Sequence, residues 1–158
     1  MNFTELTGVR PVTTAIAYPN DIVGIIASEV LSAEIARYYL TVPLYPDTLV
    51  STIDKFRPTF IVVERAALYD GSWFGVESES GGLLIEEILR IEKWSTKHGR
   101  TFIYIDNDWP DQNYSHEIRN SAHVRFPSQE FWLAMPEQPR RRKIFHVASD
   151  YSERTNND

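Results

Sequence analysis

Apolar and polar positions come in blocks along the chain, and the blocks switch between the period of a strand and that of a helix. Residues 22–27 (IVGIIA) are short, apolar and β-branched, the pattern of a core strand, and Gly24 allows a neighbouring element to approach closely. Ser28 then stands as a helix N-cap with Glu29 in the first turn, and Leu31, Ile35 and Tyr38 or Tyr39 recur at helical spacing. Residues 41–45 predict a second strand ended by Pro46, with Asp47 suited to cap a helix striped by Leu49, Ile53 and Phe56. Pro58 stops that helix, and 59–64 run uninterruptedly apolar until Glu64, as a parallel strand buried on both faces does when it leaves the core. A long connection over 65–82 follows, punctuated by Asp70-Gly71, Gly75 and Gly81-Gly82; loops of this length inside compact domains usually carry function or move. The spacing next predicts a helix over 83–98, with Leu84, Ile88 and Ile91 as its buried stripe, Trp94 beside it and Gly99 at C′. A strand over 101–105, a short helix over 114–120 and a strand over 123–126 complete the series.

Alternating strands and helices imply a parallel sheet with right-handed crossovers. The expected fold is therefore α/β, a three-layer Rossmann-like domain with a mainly parallel sheet of about five or six strands. Residues 21–134 form that domain, preceded by an arm or edge strand in 1–20, within which 12–18 could be extended. Residues 135–158 read as a Pro/Arg-rich extension, in which 144–147 could add an edge strand and the polar stretch 151–158 would fray.

Composition narrows the function classes. With 42% hydrophobic and 24% charged residues in 158, the chain suits one globular domain. A formal charge of −6 weighs against nucleic-acid binding, which draws its affinity from Lys and Arg neutralising phosphates. Without cysteine there is no disulfide, thiolate zinc site or cysteine nucleophile, which fits a reducing, cytoplasmic setting. No apolar run nears the roughly 20 residues of a spanning helix, and residues 1–10 lack a signal peptide's charged start and greasy centre. Aromatic residues reach 13% and concentrate in the predicted loops, where ligand contacts are to be sought.

Four of those loops gather on the carboxyl edge of the expected sheet: Ser28-Glu29, 64–82, 106–113 and Pro127-Ser128. Glu64, Asp106 and Asp108 could act as a base, bind hydroxyls or hold a cation; a base would need burial or a like charge to bring it toward neutral pH. Alternatively, Glu64 pairs with Arg65 or another cation in a structural network. Asp106-x-Asp108 shares its spacing with part of an oxygen-ligand loop but lacks the rest, so no metal is expected. Tyr69, Trp73 and Phe74 flank the Asp70-Gly71 turn and could either stack on a sugar, base or partner, or fold back over the core. Gly81-Gly82 could present N–H groups to an anion at the following helix, although GxGxxG and GxxxxGK[ST] are both absent and no cofactor is expected. The four histidines show no ligand spacing and the loop serines no GxSxG elbow. Arg140–Lys143 reads as a solvated linker that could instead contact phosphate or an acidic partner.

The passage RPTFIVVERAALYDGSWFG at 57–75 resembles a segment of bacterial and phage glycosyltransferase-like proteins with a spore-maturation-type glycosyltransferase region. Pro58, Val63, Glu64, Ala66, Gly71, Ser72 and Trp73 match that pattern, whereas Arg65 and Ala67 stand where Ser and Trp are usual. Downstream, Gly99 and TFIYIDNDWP at 101–110 occupy the equivalent of a helix–glycine–strand unit, with Pro110 retained. The resemblance spans about 22–128 and implies the amino-terminal, acceptor-presenting half of a two-domain B-type glycosyltransferase. On that expectation the chain ends near where a donor-binding domain would begin, and it binds a sugar, nucleotide or polypeptide acceptor without turnover on its own. Glu64 and Asp106 would carry any residual chemistry. Ser28, Arg65, Tyr69, Trp73, Asn107 and Asp108 would contact the ligand, with a nucleotide-sugar, a sugar acceptor or a separate donor-binding protein as partner. The competing expectation is a non-catalytic interaction module, of phage origin or part of a larger assembly, that docks a protein through the aromatic loop.

Overall fold

The computed structural model describes residues 16–128 and 136–156. Its five strands are β1 (Tyr18–Ile26), β2 (Tyr39–Pro43), β3 (Phe60–Glu64), β4 (Thr101–Ile105) and β5 (Val124–Phe126), all parallel in the order β2-β1-β3-β4-β5. The helices are α1 (Glu29–Ala36), α2 (Leu49–Phe56), α3 (Gly82–His98), α4 (Ser115–Ser121) and α5 (Pro139–Asn156). This is a flavodoxin-like, three-layer α/β arrangement, in which the chain reverses its winding direction between β1 and β3.

Strand alternation divides the core in two. From β3, Phe60 and Val62 point toward α1 and α5, while Ile61 and Val63 point toward α2, α3 and α4. Every residue of β3 is buried, which accounts for the unbroken apolar run in the sequence. Ile25, Val62 and Ile103 lie in register across the centre of the sheet.

Local signals for the first and third helices are borne out. Ser28 caps α1, its hydroxyl accepting from Leu31 N–H at 3.3 Å, and Gly99 ends α3 at φ 66°. Gly81, just before α3, is required by proximity: a Cβ there would lie 2.4 Å from the Gly75 carbonyl oxygen. The 65–82 connection is not open loop but two short 3₁₀ turns, Arg65–Tyr69 and Gly71–Trp73, folded against the sheet edge.

Several boundaries differ from the sequence reading. β2 starts at Tyr39, two residues early, because its ring is fully buried and its hydroxyl donates to the Arg140 carbonyl at 2.6 Å and accepts from Ile144 N–H at 3.0 Å. Asp47 lies within a 3₁₀ turn, so Thr48 precedes α2 and provides no side-chain cap. The buried stripe of α3 is Ile85, Ile88, Ile91 and Ser95. Leu84 and Ile85 are both apolar, and packing selects the latter. The strand expected at 12–18 falls largely outside the described residues, and β1 itself begins at Tyr18, inside the supposed arm.

The largest correction concerns the C-terminal extension. Residues 139–156 are helix, not linker and edge strand, and Ile144, Phe145, Val147, Ala148 and Tyr151 belong to the same core as α1. Arg140, in the first turn, pairs with Asp21 in β1 at 2.8 Å, beside Tyr39 at the amino edge of the sheet. Tyr151 reaches Glu64 and Ser28 at the carboxyl edge. Thus α5 runs in the same direction as the strands and opposite to α1, whose Ser28 end lies at the carboxyl edge and whose Tyr38 end contacts the start of β1.

Candidate functional site at the carboxyl edge of the sheet

In open α/β sheets the crevice for ligands lies beyond the carboxyl ends of the strands, where the winding reverses. Here that position is between Ile26 and Glu64, and the chain fills it itself. Glu64 is 4% exposed. One carboxylate oxygen accepts from Ser28 N–H at 2.8 Å and the other from the Tyr151 hydroxyl. The Ser28 hydroxyl lies 3.2 Å from that of Tyr151. A carboxylate therefore sits at the positive end of α1, where a bound anion would gain from the free N–H groups and the helix dipole. Burial first, and then the Glu64 carboxylate, push the Tyr151 phenol up to about 12, so it stays a donor at neutral pH.

Arg65 is the next residue and faces the opposite side of the sheet. Its side chain is fully buried, and its fork contacts seven groups. It donates to Glu77 at 3.0 Å, Asp106 at 3.3 Å, the Asn107 side-chain oxygen at 3.4 Å, the carbonyls of Trp109 and Pro110 at 3.0 and 2.8 Å, and the hydroxyls of Tyr69 and Ser115, both at 3.2 Å. Burial would lower the guanidinium's proton affinity, but Glu77 and Tyr69 reverse this and raise it. Such a buried cation is tolerable only when its donors are met, and the planar fork allows that here. Its effect is to tie the 65–82 connection to the loop after β4.

Asp106 belongs to this second network. It also accepts from Arg119 at 2.6 Å, and Arg119 holds Asp111 at 2.6 Å. The hydrogen bond from Arg119 holds the Asp111 carboxyl below its usual range, with partial opposition from burial. Glu64 and Asp106 thus share the carboxyl edge, as the strand–helix order predicts, but occupy opposite faces of the sheet. The alternation of side chains along β3 and β4 dictates this: Glu64 follows Val63 while Asp106 follows Ile105, and these two apolar residues lie on opposite faces. Nor does Glu64 pair with Arg65.

The remaining expected contacts separate into buried and open groups. Trp73 is 3% exposed and its indole N–H donates to the Leu44 carbonyl at 3.0 Å, so it folds back over the core. Arg65 likewise has its fork engaged inside the protein. Asn107 accepts from Trp109 N–H at 3.2 Å, and Asp108 is exposed. Tyr69 donates to Glu77 at 2.7 Å and meets Trp109 edge-on, with ring centroids 4.8 Å apart. Phe74 stands 70% exposed and Trp109 44%. Leu68, Tyr69, Phe74 and Gly75 wall a groove of about 170 Å³. A second crevice of about 180 Å³ lies between Ile26, Leu44, Tyr45, Ala67, Ser72 and Trp73.

Sequence reasoning missed Tyr151, Glu77, Arg119 and Trp109. Tyr151 had a signal: Ile144, Val147, Ala148 and Tyr151 follow the i, i+3, i+4, i+7 rule of a helical face. Glu77 and Arg119 carry no local signal, since their roles come from pairing across 12 and 13 positions of chain. Among the described residues, no group of three or more His, Asp or Glu side chains could hold a metal ion, and no helix is long and apolar enough to cross a membrane.

No family model matches the chain, and no curated protein matches it. Among solved structures it is similar to NtrX from Brucella abortus, determined in complex with ADP, at 10% identity and a TM-score of 0.43. The similarity covers 85% of this chain, which spans 27% of the length of that one.

Proposed function

We propose that the chain is a non-catalytic interaction module that docks a polypeptide through its aromatic loop. The observation that carries this reading is a contrast at the carboxyl edge. Glu64 and Asp106 are spent on internal partners, while Phe74, at 70% exposure, stands with Tyr69 at an apolar groove that nothing in the described chain fills. Exposed aromatic side chains beside a small pocket are the usual anchors of protein interfaces. The groove, at about 170 Å³, is smaller than the roughly 300–1,000 Å³ of small-molecule sites and suits one inserted side chain. Panning a random peptide display library on the full chain, with counter-selection on Phe74→Ala, tests the reading. Binders should retain wild type at least about tenfold better than the variant, as expected for an anchor worth above 1.4 kcal/mol. Binders indifferent to Phe74 would remove the loop from the interface.

A second reading is the acceptor-side half of a glycosyltransferase. It draws on the resemblance at 57–75 and on one geometric fact, that Glu64 already holds a hydroxyl, that of Tyr151. On this reading α5 yields its place to an acceptor hydroxyl. Titrating the full chain with candidate sugar and nucleoside acceptors, followed by tryptophan emission, should then show saturable binding that Glu64→Gln abolishes. A flat titration with these acceptors overturns this second reading.

A further inference from the structure

We infer that the segment docking on the aromatic loop is basic, a polypeptide presenting one large apolar side chain between lysines or arginines. The inference rests on the interaction-module reading above and adds the chemistry of the partner. It follows from which charges around the groove are spent and which are not.

The cations of this edge are spent. Arg65 is wholly buried, with its fork bonded inside the protein, and Arg119 is held by Asp106 and Asp111. The acids are not. Asp70 and Glu79 lie in the connection that carries Phe74, and Asp108 is next to Trp109; all three are exposed. Among the described residues, Asp70 accepts only from the N–H of Gly71 at 2.7 Å, and none of the three has an ion-pair partner. The groove thus has an apolar wall of Leu68, Tyr69 and Phe74 between two loops whose uncommitted charges are all negative. Charge complementarity selects a cationic partner and repels phosphate backbones and anionic membrane surfaces. The chain's overall charge of −6 acts in the same direction on approach. Lysine and arginine flanks also bring alkyl stems that lie well along aromatic rings, with Trp109 and Phe74 available for cation–π contact.

Fluorescence anisotropy on the full chain provides the test, with labelled peptides of the pattern Lys-Arg-Phe-Lys-Arg, Glu-Asp-Phe-Glu-Asp and Lys-Arg-Ala-Lys-Arg as probes. The first should bind, the second should not, and the third should bind at least about tenfold more weakly. Raising salt should weaken the first, because the charges involved are exposed. The double variant Asp70→Asn/Asp108→Asn should lower its affinity about five- to tenfold and flatten the salt response, a change consistent with two rim charges. Asparagine can still accept from Gly71 N–H, and both sites are exposed, so folding is not at stake. Equal binding of the basic and acidic peptides, or no binding of the basic one, overturns the inference. Phe74→Ala separates this from failure of the underlying reading. If the phenylalanine peptides lose affinity on Phe74→Ala yet ignore their own charge, docking survives and the basic partner does not. If the basic peptide binds the variant as well as wild type, the aromatic loop is not the docking surface.

Discussion

Glu64 and Arg65 are neighbours in the chain, both are buried at the carboxyl edge of the sheet, and they have been satisfied in different ways. Glu64 turns toward α1 and α5 and is met by neutral donors, a backbone N–H and the hydroxyl of Tyr151. Arg65 turns toward α3 and α4 and is met by carboxylates, carbonyls and hydroxyls drawn from two loops and the start of α4. The Glu64 side is closed by a helix that belongs to the core. The Arg65 side is closed at its centre, but its surface is the rim bearing Tyr69, Phe74 and Trp109. A sheet edge that in this topology commonly receives a ligand is thus plugged on one face and presents an outward-looking surface on the other. The difference teaches that burial of charge here fixes loops in place, and that the open part of the Arg65 face is the apolar rim those loops display.

The sharpest way to break the comparison is to remove the buried cation. Arg65→Met keeps the length of the side chain and leaves Glu77 without its ion partner, so unfolding free energy measured by urea denaturation should fall by about 3–5 kcal/mol. The 65–82 connection should also become cleavable by protease in the native state, since its tie to the loop after β4 is gone. A loss below about 1 kcal/mol would mean that the network is incidental to the fold.

The other face offers a smaller effect with a pH signature. Tyr151→Phe removes the hydroxyl given to Glu64 and should cost about 1.5–3 kcal/mol at neutral pH, the range for a hydrogen bond to a charged acceptor whose partner is left buried. Tyr39, Tyr104 and Tyr151 all have phenols raised chiefly by burial. Below pH 10, the ordinary tyrosine value, both folded and unfolded chains hold these protons and stability is complete. Above it the unfolded chain ionises first, and stability falls by up to about 1.4 kcal/mol per pH unit for each tyrosine. For Tyr151 that decline runs from pH 10 to about 12, where the folded phenol also ionises. Tyr151→Phe should therefore have a shallower alkaline slope than wild type in parallel denaturation series. Identical slopes would place that phenol in water.

Much of this fold was legible in the chain because its signals are local. The run ending at Glu64 announced a fully buried strand, Ser28 its helix cap, and Gly99 a helix end, each by a residue whose conformation or hydrogen bond is set within one turn. The carboxyl-edge location of Ser28, Glu64 and Asp106 was equally legible from the strand–helix order. Which face each acid would take required the register of β3 against β4, and one residue of difference sends a side chain to the other side of a sheet. The role of Tyr151 was lost for another reason. Its helical stripe lies in a segment opening with Pro139 and four basic residues, a composition that reads as linker although packing against α1 and the sheet makes it helix.

The smallest expected effect tests the comparison from inside the core. Tyr104 in β4 is fully buried on the Arg65 face, and its hydroxyl has no hydrogen-bond partner among the described residues. Tyr151 on the Glu64 face is buried too, but its hydroxyl is bonded. A buried hydroxyl left unpaired carries its desolvation cost of about 1–3 kcal/mol with no return, whereas a paired one recovers it. Tyr104→Phe, which keeps the ring and its packing, should accordingly leave stability unchanged or raise it by up to about 1 kcal/mol, opposite in sign to Tyr151→Phe. The two variants differ from wild type by the same single oxygen atom, so chemical denaturation at neutral pH compares the environments of the two hydroxyls directly. A loss at Tyr104 as large as that at Tyr151 would show that its hydroxyl is satisfied after all, and that the Arg65 network extends inward to include it.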